Sequence, residues 1–263
     1  MKIAVCIKQV PDSWAEKKMA GGVLDRANVD AVLNDLDEYA VEEALRIVEA
    51  NSPTKEAGQA SGHSITLISM GPERATEAIR KALSMGADDA LLISDAALAG
   101  SDALATSLVL AEVIKKGNYD LVLCGTESTD ARMSVVPAMI AERLSWAQLT
   151  FAGKVAVDPA AKKVEVERIT EFGNQVIGAS FPAVLSVVEK INEPRYPSFK
   201  GIMAAKKKVI DSRDLAAVGV AVESAWSLVA DSSPRPPRAA GIKVTDDNAA
   251  DQMVSFLAEK KLI

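Results

Sequence analysis

The stretch YDLVLCGTESTDARMSVVPAMIAERL, Tyr119 to Leu144, contains the parts of one strand, loop and helix unit. Its first seven residues, YDLVLCG, form a short apolar run typical of a buried strand. The polar loop TESTDARM follows, and VVPAMIAERL then has the spacing of a helix with proline near its start. Such units are the building blocks of an α/β fold with a parallel sheet.

The same alternation extends toward the N-terminus. KIAVCIKQV is predicted to be a first strand that ends at Pro11-Asp12, SITLISM (Ser64 to Met70) a second and ALLIS a third. Helices are predicted over Asp37 to Ala50, over ERATEAIRKALSMGAD up to about Gly86, and from a cap at Ser101 or Asp102 to about Lys116. These elements predict a Rossmann-like α/β fold, a doubly wound and mostly parallel sheet.

The pattern changes after about Phe151. KKVEVERIT and QVIGAS alternate with period two, and PAVLSVV follows them. We interpret these runs as antiparallel or edge strands added to the sheet. The helical and strand signals weaken beyond Lys208, SSPRPPRAAG favours an extended connector because proline lacks the amide donor, and ADQMVSFLAEKKLI is a short amphipathic helix. We therefore expect an α/β domain over residues 1–208 and a C-terminal extended arm over 209–263.

Composition excludes several classes of protein. Among 263 residues, 49% are hydrophobic and 25% charged, the balance of a folded domain. A net charge of −6 argues against nucleic acid as the main partner. No apolar run approaches the ~20 residues of a membrane span, and the N-terminus lacks the features of a signal peptide. We expect a cytoplasmic protein that is not embedded in a membrane.

Residue types that carry catalysis or bind metal are scarce. Cys6 and Cys124 lie in apolar runs without C-x-x-C spacing, which indicates reduced core thiols. His63 is the only histidine, so a catalytic triad or a zinc site would depend on it alone. We predict no catalytic residue and no metal site.

The carboxyl ends of the predicted strands mark a candidate binding site. Gly125 would let the chain turn closely, the loop after it offers hydroxyl groups, and the following helix offers free amides to a phosphate. The ends of strands one and two and Asn34 to Asp37 should lie nearby. Ordinary loops with capping side chains would give the same pattern, and neither G-x-G-x-x-G nor G-x-x-x-x-G-K-S/T is present.

Four stretches together resemble the beta subunit of electron-transfer flavoproteins. They are IAVCIKQVPD, NDLDEYAVEEAL, MGPERATEAIRKALSMGAD and INEPRYPSFKGIMAAKKK, and the resemblance extends over roughly residues 1 to 210. It implies an αβ heterodimer with one FAD held mainly by the alpha subunit, and an AMP held by the beta subunit.

The resemblance also implies positions for the AMP. The phosphate would bind the amides of residues 128 to 131 together with Ser134, and Leu36, Ser13 and Trp14 would approach the partner's flavin. The residues expected to bind cofactor are Cys6, Asn34, Asp35, Leu36, Asp37, Met70, Gly125, Thr126, Glu127, Ser128, Thr129, Asp130, Ala131, Met133, Ser134 and Val136.

The last stretch resembles the family's recognition loop, expected here over residues 191–203. It implies docking of acyl-CoA dehydrogenases and other dehydrogenases through Phe199, although local packing of that ring is the alternative. Lys206 to Lys208 would attract acidic donors or would simply be solvated. The residues expected to dock partners are Glu193, Pro194, Arg195, Tyr196, Phe199, Ile202 and Met203.

The expected function is electron transfer from such dehydrogenases, including those of fatty acid oxidation, through FAD to an electron-transfer flavoprotein quinone oxidoreductase. One alternative keeps the family but places a second FAD where AMP binds, in a bifurcating type. Another is a stand-alone adenine-nucleotide-binding hydrolase, for which no phosphate-cleaving residues are visible.

Overall fold

The computed structural model describes residues 1–52, 62–221, 225–233, 236–238, 240–241, 243–244 and 247–263. They form two compact units, Met1–Val229 and Ala230–Ile263. The strands are β1 Lys2–Cys6, β2 Gln9–Pro11, β3 Met19–Ala20, β4 Val23–Leu24, β5 Ala31–Leu33, β6 Ser64–Met70, β7 Asp89–Ile93, β8 Leu121–Gly125, β9 Ala147–Asp158, β10 Lys163–Thr170, β11 Gly173–Ser180, β12 Ala183–Val187 and β13 Ile210–Arg213. The α-helices are α1 Asp35–Ala50, α2 Thr76–Met85, α3 Ala103–Gly117, α4 Val136–Leu144, α5 Phe199–Lys207, α6 Leu215–Val218 and α7 Ala249–Glu259.

One sheet of nine strands organises the first unit, in the order β11-β10-β9-β12-β8-β1-β6-β7-β13. Seven neighbouring strands of this sheet pair in parallel, in the order β9-β12-β8-β1-β6-β7-β13. At the other end, β10 pairs antiparallel with β9 and with β11. The predicted doubly wound, mostly parallel sheet is therefore confirmed. Two small antiparallel pairs, β2 with β5 and β3 with β4, lie outside it.

Helices cover both faces of the sheet. Successive side chains of a strand point to opposite sides, so the apolar strands present apolar side chains to the helices on each face. Ile3 and Val5 of β1 belong to the core beneath α1 and α2, while Ala4 belongs to the core beneath α3, α4 and α6. A buried side chain such as Ile79 contributes roughly 1.5–3 kcal/mol through removal from water. These two cores fix the helices that border the carboxyl edge of the sheet.

Two strand predictions are wrong. KIAVCIKQV is not one strand: β1 ends at Cys6, and the amide of Lys8 turns to the carboxylate of Asp37 before β2 begins in another sheet. PAVLSVV contains β12, which is neither antiparallel nor at an edge but parallel to β8 and β9 and between them. All five residues of β12 are buried, so its unbroken apolar run is that of a central parallel strand.

The sheet continues beyond Lys208, where the sequence placed the start of the arm. Ile210–Arg213 pairs with β7, and Leu215 and Val218 of α6 are buried in the core. The division between the two units lies after Val229 instead. The terminal helix is present as α7, in which no residue is buried, whereas residues 234, 235 and 239 of the predicted connector lie outside the described residues.

Candidate functional site

The candidate site lies where the strand order reverses. From β1 the chain proceeds to β6 and β7 on one side, and then returns to place β8 on the other side of β1. Cys6 and Cys124 are opposite each other in this pair, and hydrogen bonding to Cys6 together with burial raises the pKa of the Cys124 thiol. In doubly wound sheets ligands bind at this reversal, outside the carboxyl ends of the strands.

Gly125 ends β8 against the first turn of α1. A Cβ atom at this position would lie 2.6 Å from Oδ1 of Asp37 and 2.8 Å from the carbonyl group of Leu36. Only glycine allows this approach. Asp37 is buried there, its Oδ2 accepts the Lys8 amide at 2.8 Å, and burial raises its pKa to about 7.

Asn34 connects α1 to the loop after β8. Its fully buried side chain donates from Nδ2 to the carbonyl oxygen of Glu127 at 2.9 Å and accepts the Thr129 amide at Oδ1 at 3.0 Å. Although Asn34 precedes α1, its side chain makes no capping hydrogen bond to that helix. Its amide group holds the loop in place instead.

The loop leaves one buried hydroxyl unsatisfied at the reversal. Arg132 and Ser134 both have positive φ, at 51° and 56°. The Thr129 amide donates to Asn34, and the amides of Ala131 and Arg132 donate to the Ser128 carbonyl oxygen. Val135 supplies no side-chain cap to α4, and Oγ1 of Thr129 is buried without a hydrogen-bond partner among the described residues. Buried hydroxyl groups are ordinarily paired, so the arrangement suits an anionic ligand such as a nucleotide phosphate.

Asp130 fastens the loop to the excursion between β2 and β5. Its carboxylate is enclosed and contacts Nζ of Lys8 at 2.8 Å and Nη2 of Arg26 at 2.7 Å. Burial opposes ionisation, but the Lys8 charge and hydrogen bonds from Lys8, Ser128 and Arg26 lower the pKa of Asp130 to about 2. Lys17 donates to the Thr129 carbonyl oxygen at 3.1 Å.

Sequence reasoning missed Arg26 and Lys17. They lie 104 and 112 positions from their partners in the loop. No local spacing indicates such contacts, because they arise only when the excursion folds back over the carboxyl edge.

The other predicted site residues differ in their contacts and in their exposure. Thr126 is turned away, since its hydroxyl donates to the Val187 carbonyl oxygen of β12 at 2.6 Å. Ser134 donates to Glu127 at 2.8 Å and so closes the loop on itself. Cys6 and Met70 are partly buried at their strand ends, Leu36 and Val136 are partly buried, and Asp35, Ala131 and Met133 are exposed.

A cavity of about 430 Å³ lies between the excursion, α1 and α2. Ser13 and Trp14 line it, together with Leu33 and Lys81. Leu36 is not among the lining residues, although the resemblance grouped it with Ser13 and Trp14. Trp14 is 95% exposed, so this ring makes few contacts with its own chain.

The segment predicted as a loop over residues 191–203 is only partly a loop. Helix α5 begins at Phe199, where the Ser198 hydroxyl accepts the Gly201 amide at 3.1 Å as a helix cap. Phe199 is 81% exposed and Tyr196 94% exposed. Ile202 and Met203 lie one turn along the helix and are also exposed, so they extend the apolar surface of Phe199.

The opposite side of α5 is fixed to α2. Ala205 is buried, and a Cβ atom on Gly201 would lie 2.5 Å from the Ser84 carbonyl oxygen. Lys208 donates to the carbonyl oxygens of Ala87 and Asp88. The lysine run is therefore divided: Lys206 and Lys207 are exposed on the last turn of α5, whereas Lys208 is engaged by the fold.

Among the described residues there is no group of three side chains suited to hold a metal ion. Within the same ranges, no helix is long and apolar enough to cross a membrane.

Comparison with known proteins identifies the family. A family model described as "Electron transfer flavoprotein domain" matches residues 21–218. Electron transfer flavoprotein subunit beta of Mycobacterium tuberculosis (strain ATCC 25618 / H37Rv) is 48% identical over 270 residues, 99% of each chain. Subunit beta of Megasphaera elsdenii is 37% identical over 282 residues, 100% of each chain, and Protein FixA of Azotobacter vinelandii is 37% identical over 84% of this chain and 77% of that one. Because the matches span the sheet, the reversal site and the α5 segment, this chain belongs to the electron transfer flavoprotein family, among its beta subunits.

Proposed function

We propose that this chain is the nucleotide-holding and donor-docking subunit of a heterodimer. It binds AMP at the reversal site, and an alpha subunit holds most of one FAD. Electrons enter from dehydrogenases such as acyl-CoA dehydrogenases and leave to a quinone oxidoreductase. The chain is an electron-carrier subunit without catalytic residues of its own, because the flavin supplies the redox chemistry.

The loop after β8 carries the proposal for the nucleotide. The orphan hydroxyl of Thr129 and the uncapped start of α4 offer donors to a phosphate, while Asn34 fixes the loop from below. Electrostatic attraction to a helix N-terminus adds about 0.3–1 kcal/mol to such binding. Lys8 and Arg26, which reach the loop from other segments, are engaged by Asp130, and Arg132 of the loop pairs with Glu127. The Thr129 hydroxyl and the free amides at the start of α4 would therefore hold the phosphate.

Nucleotide and flavin counts on the purified heterodimer test this site. We expect one AMP and one FAD after acid extraction and chromatography, whereas two FAD without AMP would favour the bifurcating type. Thr129→Val removes the hydroxyl at nearly constant volume and should lower AMP affinity roughly tenfold, because a hydrogen bond to a charged group contributes about 1.5–3 kcal/mol. Thr170→Val, in the distant β10–β11 hairpin, is the control and should retain full AMP content.

The apolar surface on α5 carries the proposal for docking. An exposed phenylalanine at the start of a helix suits insertion into a partner's pocket, since the helix already fixes the backbone that carries the ring. Lys200 and Lys206, both exposed on α5, border Phe199 with positive charge and would speed encounter with an acidic donor surface.

Phe199→Ala tests the docking assignment. Truncation of a central aromatic anchor costs roughly 2 kcal/mol or more, so the KM for an acyl-CoA dehydrogenase reduced by octanoyl-CoA should rise about thirtyfold. FAD and AMP contents should stay unchanged. Phe172→Ala is the matched control, because this ring is also exposed, at 94%, but lies on the β10–β11 hairpin. Equal KM values in Phe199→Ala and wild type would refute the assignment.

A further inference from the structure

Arg195, which the sequence placed among the partner-contacting residues, packs its side chain against α1 and keeps about a third of it (34%) exposed. Its Nε and Nη2 donate to the two carboxylate oxygens of Glu42 at 2.7 and 3.1 Å, and its main-chain amide donates to Oε2 of Glu42 at 3.2 Å. Nη1 and Nη2 also donate to Glu49 at 2.7 and 3.0 Å. One guanidinium group therefore bridges two carboxylates that lie two turns apart on α1.

The principal partner of Arg195 is enclosed by the fold. The Glu42 side chain is only 4% exposed and also accepts a hydrogen bond from Arg46 at 3.0 Å. Burial alone would raise the pKa of Glu42, but hydrogen bonds from Arg195 and Arg46 hold it below its usual value. Removal of one partner from such a pair leaves an uncompensated charge in the protein, which is strongly unfavourable.

A second contact fixes the start of the same segment. Asn192 donates from Nδ2 to the Tyr39 carbonyl oxygen at 3.0 Å and to Oε2 of Glu43 at 2.9 Å. Between Arg195 and the start of α5 only three residues intervene, and among them Tyr196 projects into solvent. The contacts to α1 thus set the path by which the chain enters α5.

We propose that Arg195 is a positioning residue for donor docking: by bridging Glu42 and Glu49 it holds residues 192–198 on α1, so that the backbone carrying Tyr196 and Phe199 is ordered before a partner arrives. The proposal rests on the docking function proposed for Phe199. A preordered backbone loses less entropy on binding, so loss of the bridge weakens encounter without changing the electron-transfer step in the docked complex.

Glu42 separates this role from direct contact, because an enclosed carboxylate cannot touch a docked protein. The experiment uses the FAD-loaded heterodimer and an acyl-CoA dehydrogenase reduced by octanoyl-CoA. We expect Arg195→Gln and Glu42→Gln each to raise the KM for the dehydrogenase roughly tenfold with kcat unchanged. The double variant should be no worse than Arg195→Gln, since that single variant already removes the pair between Arg195 and Glu42. Reduction of the flavin by dithionite, which needs no docking, should proceed as in wild type.

Arg195→Lys gives a graded response, because a single ammonium group cannot bridge both carboxylates as the guanidinium fork does. If Arg195→Gln fails to form the heterodimer, the KM of Arg195→Lys is measured in its place. Arg213→Gln is the control: this arginine makes an exposed pair with Asp211 on β13 and should leave KM unchanged. Hydrogen exchange should become faster at the amides within residues 196–203, apart from Pro197, in the Arg195 and Glu42 variants only.

Several results would overturn the proposal. A raised KM in Arg195→Gln with normal KM in Glu42→Gln would make Arg195 a direct contact to the donor. A lowered kcat in both variants, or unchanged exchange at 196–203, would exclude a positioning role. If Phe199→Ala also leaves KM unchanged, the docking function itself fails, whereas an effect of Phe199→Ala without an effect of Arg195→Gln refutes only the role of Arg195.

Discussion

Gly125→Ala should damage both the fold and the nucleotide site. The added Cβ would lie 2.8 Å from the Leu36 carbonyl group and 2.6 Å from Oδ1 of Asp37, whereas ordinary contacts of this kind exceed about 3.4 Å. The Asp37 side chain has little room because it is buried, and the Leu36 backbone moves only if the start of α1 moves. Overpacking of this kind costs roughly 1–3 kcal/mol.

The displacement should also reach the loop. Asn34 lies two residues before Leu36 and holds the loop at Glu127 and Thr129, so a shift of the first turn of α1 disturbs both hydrogen bonds. We therefore expect the free energy of unfolding in urea to fall by about 1–3 kcal/mol and the AMP content of the purified heterodimer to fall with it.

Gly178→Ala provides the matched control for this substitution. Gly178 lies in β11, and a Cβ added there would have the Val164 carbonyl oxygen as its nearest neighbour, at the ordinary contact distance of 3.7 Å. The free energy of unfolding of Gly178→Ala should stay within about 0.5 kcal/mol of the wild-type value. If Gly125→Ala unfolds at the same urea concentration as wild type and keeps its AMP, the close approach of β8 to α1 does not constrain the site as argued.

Three further predictions follow from the charges and the packing around the two sites. Asp130→Asn should lower the free energy of unfolding at pH 7 by up to about 2 kcal/mol, because the pKa of Asp130 in the folded protein, about 2, lies below the ordinary 3.8. In wild type this contribution to stability is present above about pH 5 and is lost as the pH falls toward 2. Urea unfolding at several pH values will measure it. The pKa of Asp37 is shifted in the opposite direction, to about 7 in the folded protein, so its contribution to stability is complete below about pH 4 and is lost as the pH rises through 7. The free energy of unfolding of Asp37→Asn should therefore vary less between these pH values than that of wild type. Gly201→Ala should push α5 away from α2, since the added Cβ would lie 2.5 Å from the Ser84 carbonyl oxygen. We expect the free energy of unfolding to fall by about 1–3 kcal/mol and the KM for a dehydrogenase to rise. An unchanged melting temperature would contradict this packing.

The sequence by itself determined most strands and helices of the first 150 residues and the edge of the sheet at which the site lies. Apolar runs predict strands locally, and parallel strands bring their carboxyl ends together, so Gly125, Asn34 and the loop to Ser134 could be assigned to one place before their contacts were known. The same local reasoning misplaced β12, because a short unbroken apolar run fits an edge strand and a central strand until its neighbours are known. It also left Phe199 in a loop, although Ser198 is a residue typical of a helix cap.

Tertiary structure alone decided which charges meet. Asp130 pairs with Arg26 across 104 positions, and Arg195 pairs with Glu42 across 153. In the sequence each of these residues has the same appearance as a solvated surface charge, because polar and charged side chains on a helix or a loop carry no periodic signal of their partner. Their roles are fixed only when the excursion after β2 and the segment before α5 fold back onto the loop and onto α1. That folding converts Arg195 from an expected contact of the donor into a residue bound to its own fold.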